Sequence, residues 1–321
     1  MKAAVYRAYG SPDQIRLEEV PKPVPGDDEV LVRVRASALN ALDSHFMSGF
    51  WPMRPVTGLL KPKPTTPGVD LSGEVEAVGR NVTRFKPGDA VFGTARSSCA
   101  EYACTPQNRL TPQPAGLSFE EAAAVPLAGF TALQGLRDKA GVQPGQKVLI
   151  NGASGGVGTF AVQIARSLGA EVTAVCGPRH VELAASLGAH HVVDYSREDF
   201  TRRADRYDVV FDVAGSRSLS ACRRVMTRRG IFLPVGVRPG GLVLGPIPHL
   251  LMLLLSKPLV SQRVVFWVAK SNPEDLAALT QLIGTKQLTP VVDRVFPLSE
   301  TGAALRHFKE GHPRGKVVVR I

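Results

Sequence analysis

Short segments with apolar residues at every second position dominate the first hundred or so residues of the chain. They read "KAAVYRA", "IRLEEV", "EVLVRVRASAL", "GEVEAVG" and "DAVFGTA", with Pro and Gly between them. A period of two marks half-buried strands. "KPVPGDDE" and "RFKPGDA" read as turn-rich links. A helical pattern opens in "LSFEEAAAVPLAGFTALQGLRDKAG", with Ser118 as N-cap, Glu120 and Glu121 in the first turn and Gly141 at the end.

The rhythm then changes. "KVLIN", "EVTAVC", "HHVVDY", "YDVVFDVAG" and "GIFLPVG" are Val/Ile-rich runs without alternation, as expected of strands buried on both faces. Helical patterns lie between them in "VGTFAVQIARSLGA", "HVELAASLGA" and "LSACRRVM". This alternation predicts βαβ units on a doubly wound parallel sheet, an α/β fold. A Gly/Pro-rich stretch comes next, then a strand "RVVFWVA" and a helix "NPEDLAALTQLIG". The tail returns to β character with "VVDRVFPL", a helix "SETGAALRHFKEG" and a final strand "KVVVRI". Residues 1–120 and 288–321 are therefore expected to form a β-rich domain, interrupted by an α/β domain over 121–287.

Composition narrows the function classes. At 321 residues, 44% hydrophobic and 21% charged, the chain suits a globular protein with more than one core. The apolar run "HLLMLLLSKPLV" (249–260) is broken by Lys257 and Pro258. It falls short of the roughly 20 residues that span a bilayer. It reads as core, interface or channel lining, and no transmembrane segment is expected. The start "MKAAVYRAYGSP" has no leader pattern, so a cytoplasmic location is the expectation. Cys99, Cys104, Cys176 and Cys222 match no zinc or redox spacing and read as free thiols. The net charge of +11 includes the pairs Arg202-Arg203, Arg223-Arg224 and Arg228-Arg229. No aromatic-interleaved basic motif accompanies them, which disfavours a nucleic-acid partner.

"NGASGGVGTF" (151–160) carries the chemistry. It follows one strand, opens a helix and precedes a second strand, which is the context a dinucleotide site requires. The register is Ala153-x-Gly155-x-x-Gly158, with alanine in place of the first glycine. Gly155 lets the backbone approach a pyrophosphate, Gly158 lets helix and strand pack closely, and the helix N-terminus faces the phosphates. An enzyme using the non-phosphorylated cofactor usually carries an acid about 20 residues beyond the glycines. Here the second strand ends in "TAVCGPRH" without one, and Arg179 lies just past it. NADPH is therefore expected over NADH.

The order of elements, with "RVRASALNALD", "PGVDLSGEVEAVG", "FKPGDAVFG", "AGFTALQGL", "GASGGVG" and "GHPRGKVVV", resembles the medium-chain dehydrogenase/reductase superfamily. Within it the chain is most similar to the zinc-independent quinone oxidoreductase branch, in the group with the mitochondrial reticulon-interacting oxidoreductase. The resemblance implies a GroES-like domain beside a Rossmann domain, and subunits that commonly pair as homodimers. Zinc-dependent members carry a Cys, a His–Glu pair and a further Cys or His as ligands. This chain has Asn40 and Val69-Asp70 at the first two places and no thiol or imidazole in "AVPLAGFT". Zinc needs three protein ligands, so none is expected here.

Without a Lewis acid the expected acceptor is small, hydrophobic and electron-poor, a quinone or an α,β-unsaturated carbonyl compound. The resemblance implies that Asn40 is the catalytic polar group facing the nicotinamide, where Thr131 also makes contact. It implies that Ser154, Gly155, Gly156 and Val157 hold the pyrophosphate. Gly177, Arg179 and Tyr195 would lie at the adenosine 2′-phosphate end. Val235, Gly236 and Val237 would lie by the nicotinamide, and His312 and Arg314 are carried over with them. The competing reading is a cofactor-binding regulator of low turnover that binds RNA or a protein partner.

Overall fold

In a computed structural model, residues 1–49, 54, 58–63, 65–236, 261–310 and 313–321 are described. In chain order the strands and helices begin with β1 (Lys2–Val5), β2 (Arg16–Glu19), β3 (Glu29–Ala38), α1 (Ala41–Ser48), β4 (Asp70–Val78), β5 (Ala90–Thr94), β6 (Tyr102–Pro106) and β7 (Leu110–Pro112). Then come α2 (Phe119–Ala123), α3 (Pro126–Leu133), β8 (Lys147–Asn151), α4 (Gly156–Ser167), β9 (Glu171–Cys176), α5 (Val181–Ser186), β10 (His191–Asp194), β11 (Tyr207–Asp212), α6 (Leu219–Arg223) and β12 (Met226–Pro234). The last are β13 (Arg263–Val264), α7 (Pro273–Gly284), β14 (Val292–Pro297), α8 (Thr301–Glu310) and β15 (Lys316–Arg320).

Two compact units emerge, Met1–Ala128 with Lys270–Ile321, and Gly129–Ala269. These limits differ from the expected 120/121 and 287/288. Helix α7 falls in the first unit, where Leu276 and Leu279 are fully buried and Ser271 hydrogen-bonds Thr94 at 2.9 Å. An amphipathic helix joins the core that covers its apolar face, and its sequence does not say which core that is.

The first unit is built on a sheet ordered β14-β15-β3-β4-β5-β7, with β6 paired to β3. Its alternating strands bury Val30, Val32, Leu71, Val75, Val91 and Leu110 together. Register decides which residues share one end of this sheet. Ala38 at the end of β3 lies opposite Asp70 at the start of β4, and opposite Val318 in β15. The first residues of β4 and β15 and the residues just past β3 therefore meet there. At that end the chain forms a helix that alternation did not reveal. Asn40 caps α1, with its backbone N–H bonded to the Asp43 carboxylate at 2.8 Å, and Gly49 ends the helix in the left-handed region at φ 66°.

The second unit carries the parallel sheet β10-β9-β8-β11-β12-β13. Strand order 3-2-1-4-5-6 is that of a Rossmann fold, and the order reverses between β8 and β11. Its core packs Leu149, Val175, Val193, Phe200, Val210 and Phe232. The expected strand over "RVVFWVA" shrinks to Arg263–Val264. The Val265 N–H still donates to the Phe232 carbonyl at 3.0 Å, and beyond it Trp267 packs on Phe211, with ring centroids 5.9 Å apart. Pro126 splits the long helical pattern into α2 and α3, after which a π-helical stretch runs to Ala140.

Candidate functional site

Strand β8 ends at Asn151 and α4 begins at Gly156, with Gly155 as an extended N-cap. Ala153 and Gly158 are buried, whereas Ser154, Gly155, Gly156 and Val157 between them are half-exposed. The first-turn N–H groups of a helix have no intrahelical partner and carry partial positive charge. A Cβ on Gly158 would overlap the Gly152 carbonyl oxygen, so only glycine lets the helix start this close to the strand. A Cβ on Gly155 would meet nothing nearer than 3.6 Å, which leaves the concave side of the turn clear. These residues fit a pyrophosphate. Beneath the turn, the Asn151 amide donates to Asp212 at 2.8 Å and to Ser216 at 3.0 Å, tying β8 to β11 across the switch point.

At the end of β9, Gly177 precedes the exposed Arg179. Arg179 makes no hydrogen bond or ion pair among the described residues. Tyr195 follows β10, anchored by its N–H to the Cys176 carbonyl at 3.1 Å. Its hydroxyl stands 3.0 Å from where a Gly177 Cβ would be, so the missing side chain makes room for the phenol. The nearby acid, Asp194, accepts from the Ser196 N–H and hydroxyl at 2.9 and 2.7 Å, and those bonds hold its pKa below the usual range. It therefore faces its own turn. At the end of β12, the N–H groups of Val235 and Gly236 both donate to the Asp212 carbonyl at 2.9 Å. Thr131 lies half-buried on α3. Val237 and His312 lie outside the described residues.

The first unit holds a different kind of site. Lys316, the first residue of β15, is 2% exposed. Its ammonium donates to the Asn40 carboxamide oxygen at 2.5 Å and to Asp70 at 3.1 Å. The Asn40 amide nitrogen donates to that same Asp70 oxygen at 2.9 Å and to the Ala38 carbonyl at 3.1 Å. The other Asp70 oxygen accepts the Leu127 N–H at 2.9 Å. Asp43 accepts the N–H groups of Asn40 and Gly68, both at 2.8 Å, and burial pushes its pKa up to about 6. Every side-chain donor of Asn40 is thus engaged. This donor set does not fit zinc: an ammonium already bridges Asn40 and Asp70, and among the described residues no three His, Cys, Asp or Glu side chains gather around a point. Arg314 is exposed, and its backbone N–H is held by Asp293 at 3.1 Å, which also binds His307 at 2.6 Å. Sequence reasoning missed Lys316. The available signal was a lone lysine opening the apolar strand "KVVVRI".

Several of the arginine pairs are used internally. Arg203 binds Glu198 and Asp205, Arg223 binds Gln262, and Arg202 lies 3.8 Å from Asp199. No helix among the described residues is long and apolar enough to cross a membrane.

Residues 26–135 match the alcohol dehydrogenase GroES-like domain, and residues 187–319 match the zinc-binding dehydrogenase family. The chain is 33% identical to the chloroplastic quinone-oxidoreductase QR1 of Triphysaria versicolor, over 99% of this chain and 98% of that one. It is 31% identical to an NADPH-dependent alkenal/one oxidoreductase of Arabidopsis thaliana, over 99% and 79% of the two chains. The quinone oxidoreductase structure from Coxiella burnetii superposes with a TM-score of 0.85 at 29% identity, covering 100% of this chain and 99% of that one.

Proposed function

Because the chain belongs to the medium-chain dehydrogenase/reductase superfamily, in its quinone oxidoreductase branch, we propose that it is an NADPH-dependent reductase of quinones or α,β-unsaturated carbonyl compounds that needs no metal. When bound, the reduced nicotinamide supplies a hydride, so that the acceptor gains two electrons and takes its balancing proton from solvent. The chain's own part is to bind, orient and exclude water. Ser154, Gly156 and Val157 receive the pyrophosphate on main-chain N–H groups, while the Gly155 N–H donates to the Gly152 carbonyl at 3.2 Å and that residue contributes only its lack of a side chain. Asn40, with both amide N–H groups engaged, holds Lys316 and Asp70 in register rather than donating to the acceptor.

The observation that carries the choice of NADPH is Arg179, without an ion pair among the described residues, beside Gly177 and Tyr195 at a strand end that offers no acid. A guanidinium free of carboxylate partners suits a phosphate dianion. The names of the alkenal/one and quinone reductase relatives support the acceptor class. The test follows absorbance of NADPH and NADH with a small quinone and a small enone, with and without chelator. Arg179→Ala should raise KM for NADPH about tenfold, the worth of one charged hydrogen bond, and leave KM for NADH nearly unchanged. Equal efficiency of the wild type with both cofactors would sink the 2′-phosphate assignment.

A further inference from the structure

The first unit contains a pocket that the cofactor assignment does not use. It lies between α1, residues 66–69 and the turn at Arg96-Ser97, and its cavity volume is about 60 Å³, opening to solvent. Phe46, Pro67 and Val69 give it apolar walls. Its two exposed charged side chains are cations, and Thr66 and Ser97 add hydroxyls that can donate or accept. Tyr6 is 2% exposed, lines the pocket, and has no hydrogen-bond partner for its phenol among the described residues. Lys63 and Arg96 stand exposed at the pocket, and neither pairs with an acid among the described residues. Asp43 also lines it, but its two oxygens are turned to the Asn40 and Gly68 N–H groups.

A ligand here meets a buried phenol that needs an acceptor and two cations that need negative charge, between apolar walls. We propose that the pocket binds a short conjugated carbonyl compound bearing a carboxylate, its oxygens received by Tyr6, Arg96 and Lys63. The inference rests on the reductase reading and names the acceptor that reading leaves open. Burial, with the nearby charges of Asp43 and Tyr9, pushes the Tyr6 pKa up to about 12, so the phenol keeps its proton at neutral pH and can only donate to an oxyanion. Ser97 is held at φ 62°, a left-handed conformation rare for serine, and it fixes the turn that carries Arg96.

The experiment compares two enones of one skeleton, trans-4-oxo-2-pentenoate and neutral 3-penten-2-one. Binding to the full chain is measured by calorimetry, and NADPH oxidation is measured in parallel. Arg96→Ala combined with Lys63→Ala, two exposed positions, should lower the preference for the carboxylate about tenfold, the worth of a hydrogen bond to a charged group. Tyr6→Phe keeps the buried ring and should weaken both compounds about fivefold. An unchanged preference in the double variant would overturn the proposal. So would displacement of the pentenoate by equimolar inorganic phosphate, which would mark a general anion site. Discriminating binding without NADPH oxidation by either compound would sink the reductase reading and uphold the carboxylate site. Oxidation without discrimination would do the reverse.

Discussion

At Gly156 and Val157 the second unit offers main-chain N–H groups, whereas at Lys316 the first unit buries an ammonium against a carboxylate and an amide. The glycine turn presents polar atoms that every residue possesses. Its requirement is for space, at Gly158 above all. The Lys316 cluster recognises charge with three particular side chains drawn from three strand ends. Main-chain recognition survives many substitutions that respect its shape. A buried ion pair survives few, because removing one partner strands the other in a medium that cannot solvate it.

The largest effect is expected where that contrast is sharpest. Lys316→Met should destabilise the fold by about 3–5 kcal/mol, since it leaves Asp70 buried and uncompensated. Adding Asp70→Asn should recover much of the loss, and urea unfolding of the single and double variants measures both. A loss below about 1 kcal/mol for the single change would mean that the cluster is not held by charge. Gly158→Ala is the matching break in the other region. Its Cβ meets the Gly152 carbonyl, and overpacking of this kind costs about 1–3 kcal/mol. Dinucleotide affinity, followed by fluorescence titration, should fall with it, because the helix N-terminus must shift away from the turn.

A smaller effect sharpens the comparison through pH. The folded-state pKa of Asp43 is raised, so the native state holds a proton that the unfolded chain has released. Its contribution is complete below about pH 4 and is lost as pH rises through about 6, at no more than about 1.4 kcal/mol per pH unit. Asp43→Asn removes the ionisation, so denaturation midpoints from pH 4 to 6 should fall in the wild type relative to the variant. The smallest expected signal is chemical. Burial pushes the thiol of Cys99 up to about 12 and those of Cys104 and Cys176 up to about 11. Iodoacetamide at pH 8 should therefore label these three slowly in the native protein and fully in urea.

How much of this is legible in the chain differs between the two regions for the same reason that their energetics differ. The βαβ run from Lys147 to Cys176 is local. Strand, glycine turn, helix and strand succeed one another within 30 residues, and each announces itself by period and by glycine spacing. Arg179 and Tyr195 can be placed by counting from strand ends, and the structure puts both beside Gly177. By contrast, Asn40 and Lys316 are 276 residues apart, and nothing in the sequence between them says that β15 will lie beside β3. Helix α1 is hidden because its one strong signal, Asn40 with Asp43, also reads as a turn.

The sequence alone determined what short-range stereochemistry controls: the parallel α/β unit, the glycine turn that opens its first helix, and the lack of an acid at the end of β9. Tertiary structure alone decided what depends on which surfaces meet. It drew α7 into the first unit, cut the strand over residues 263–269 to two residues, committed Asn40 to Lys316 and Asp70, and left the Tyr6 phenol without a partner among the described residues in a pocket. Period and glycine spacing are written within one turn or one strand of the chain. Burial of a charge and the shape of a cavity arise only when distant segments pack, and solvent is removed from both at once.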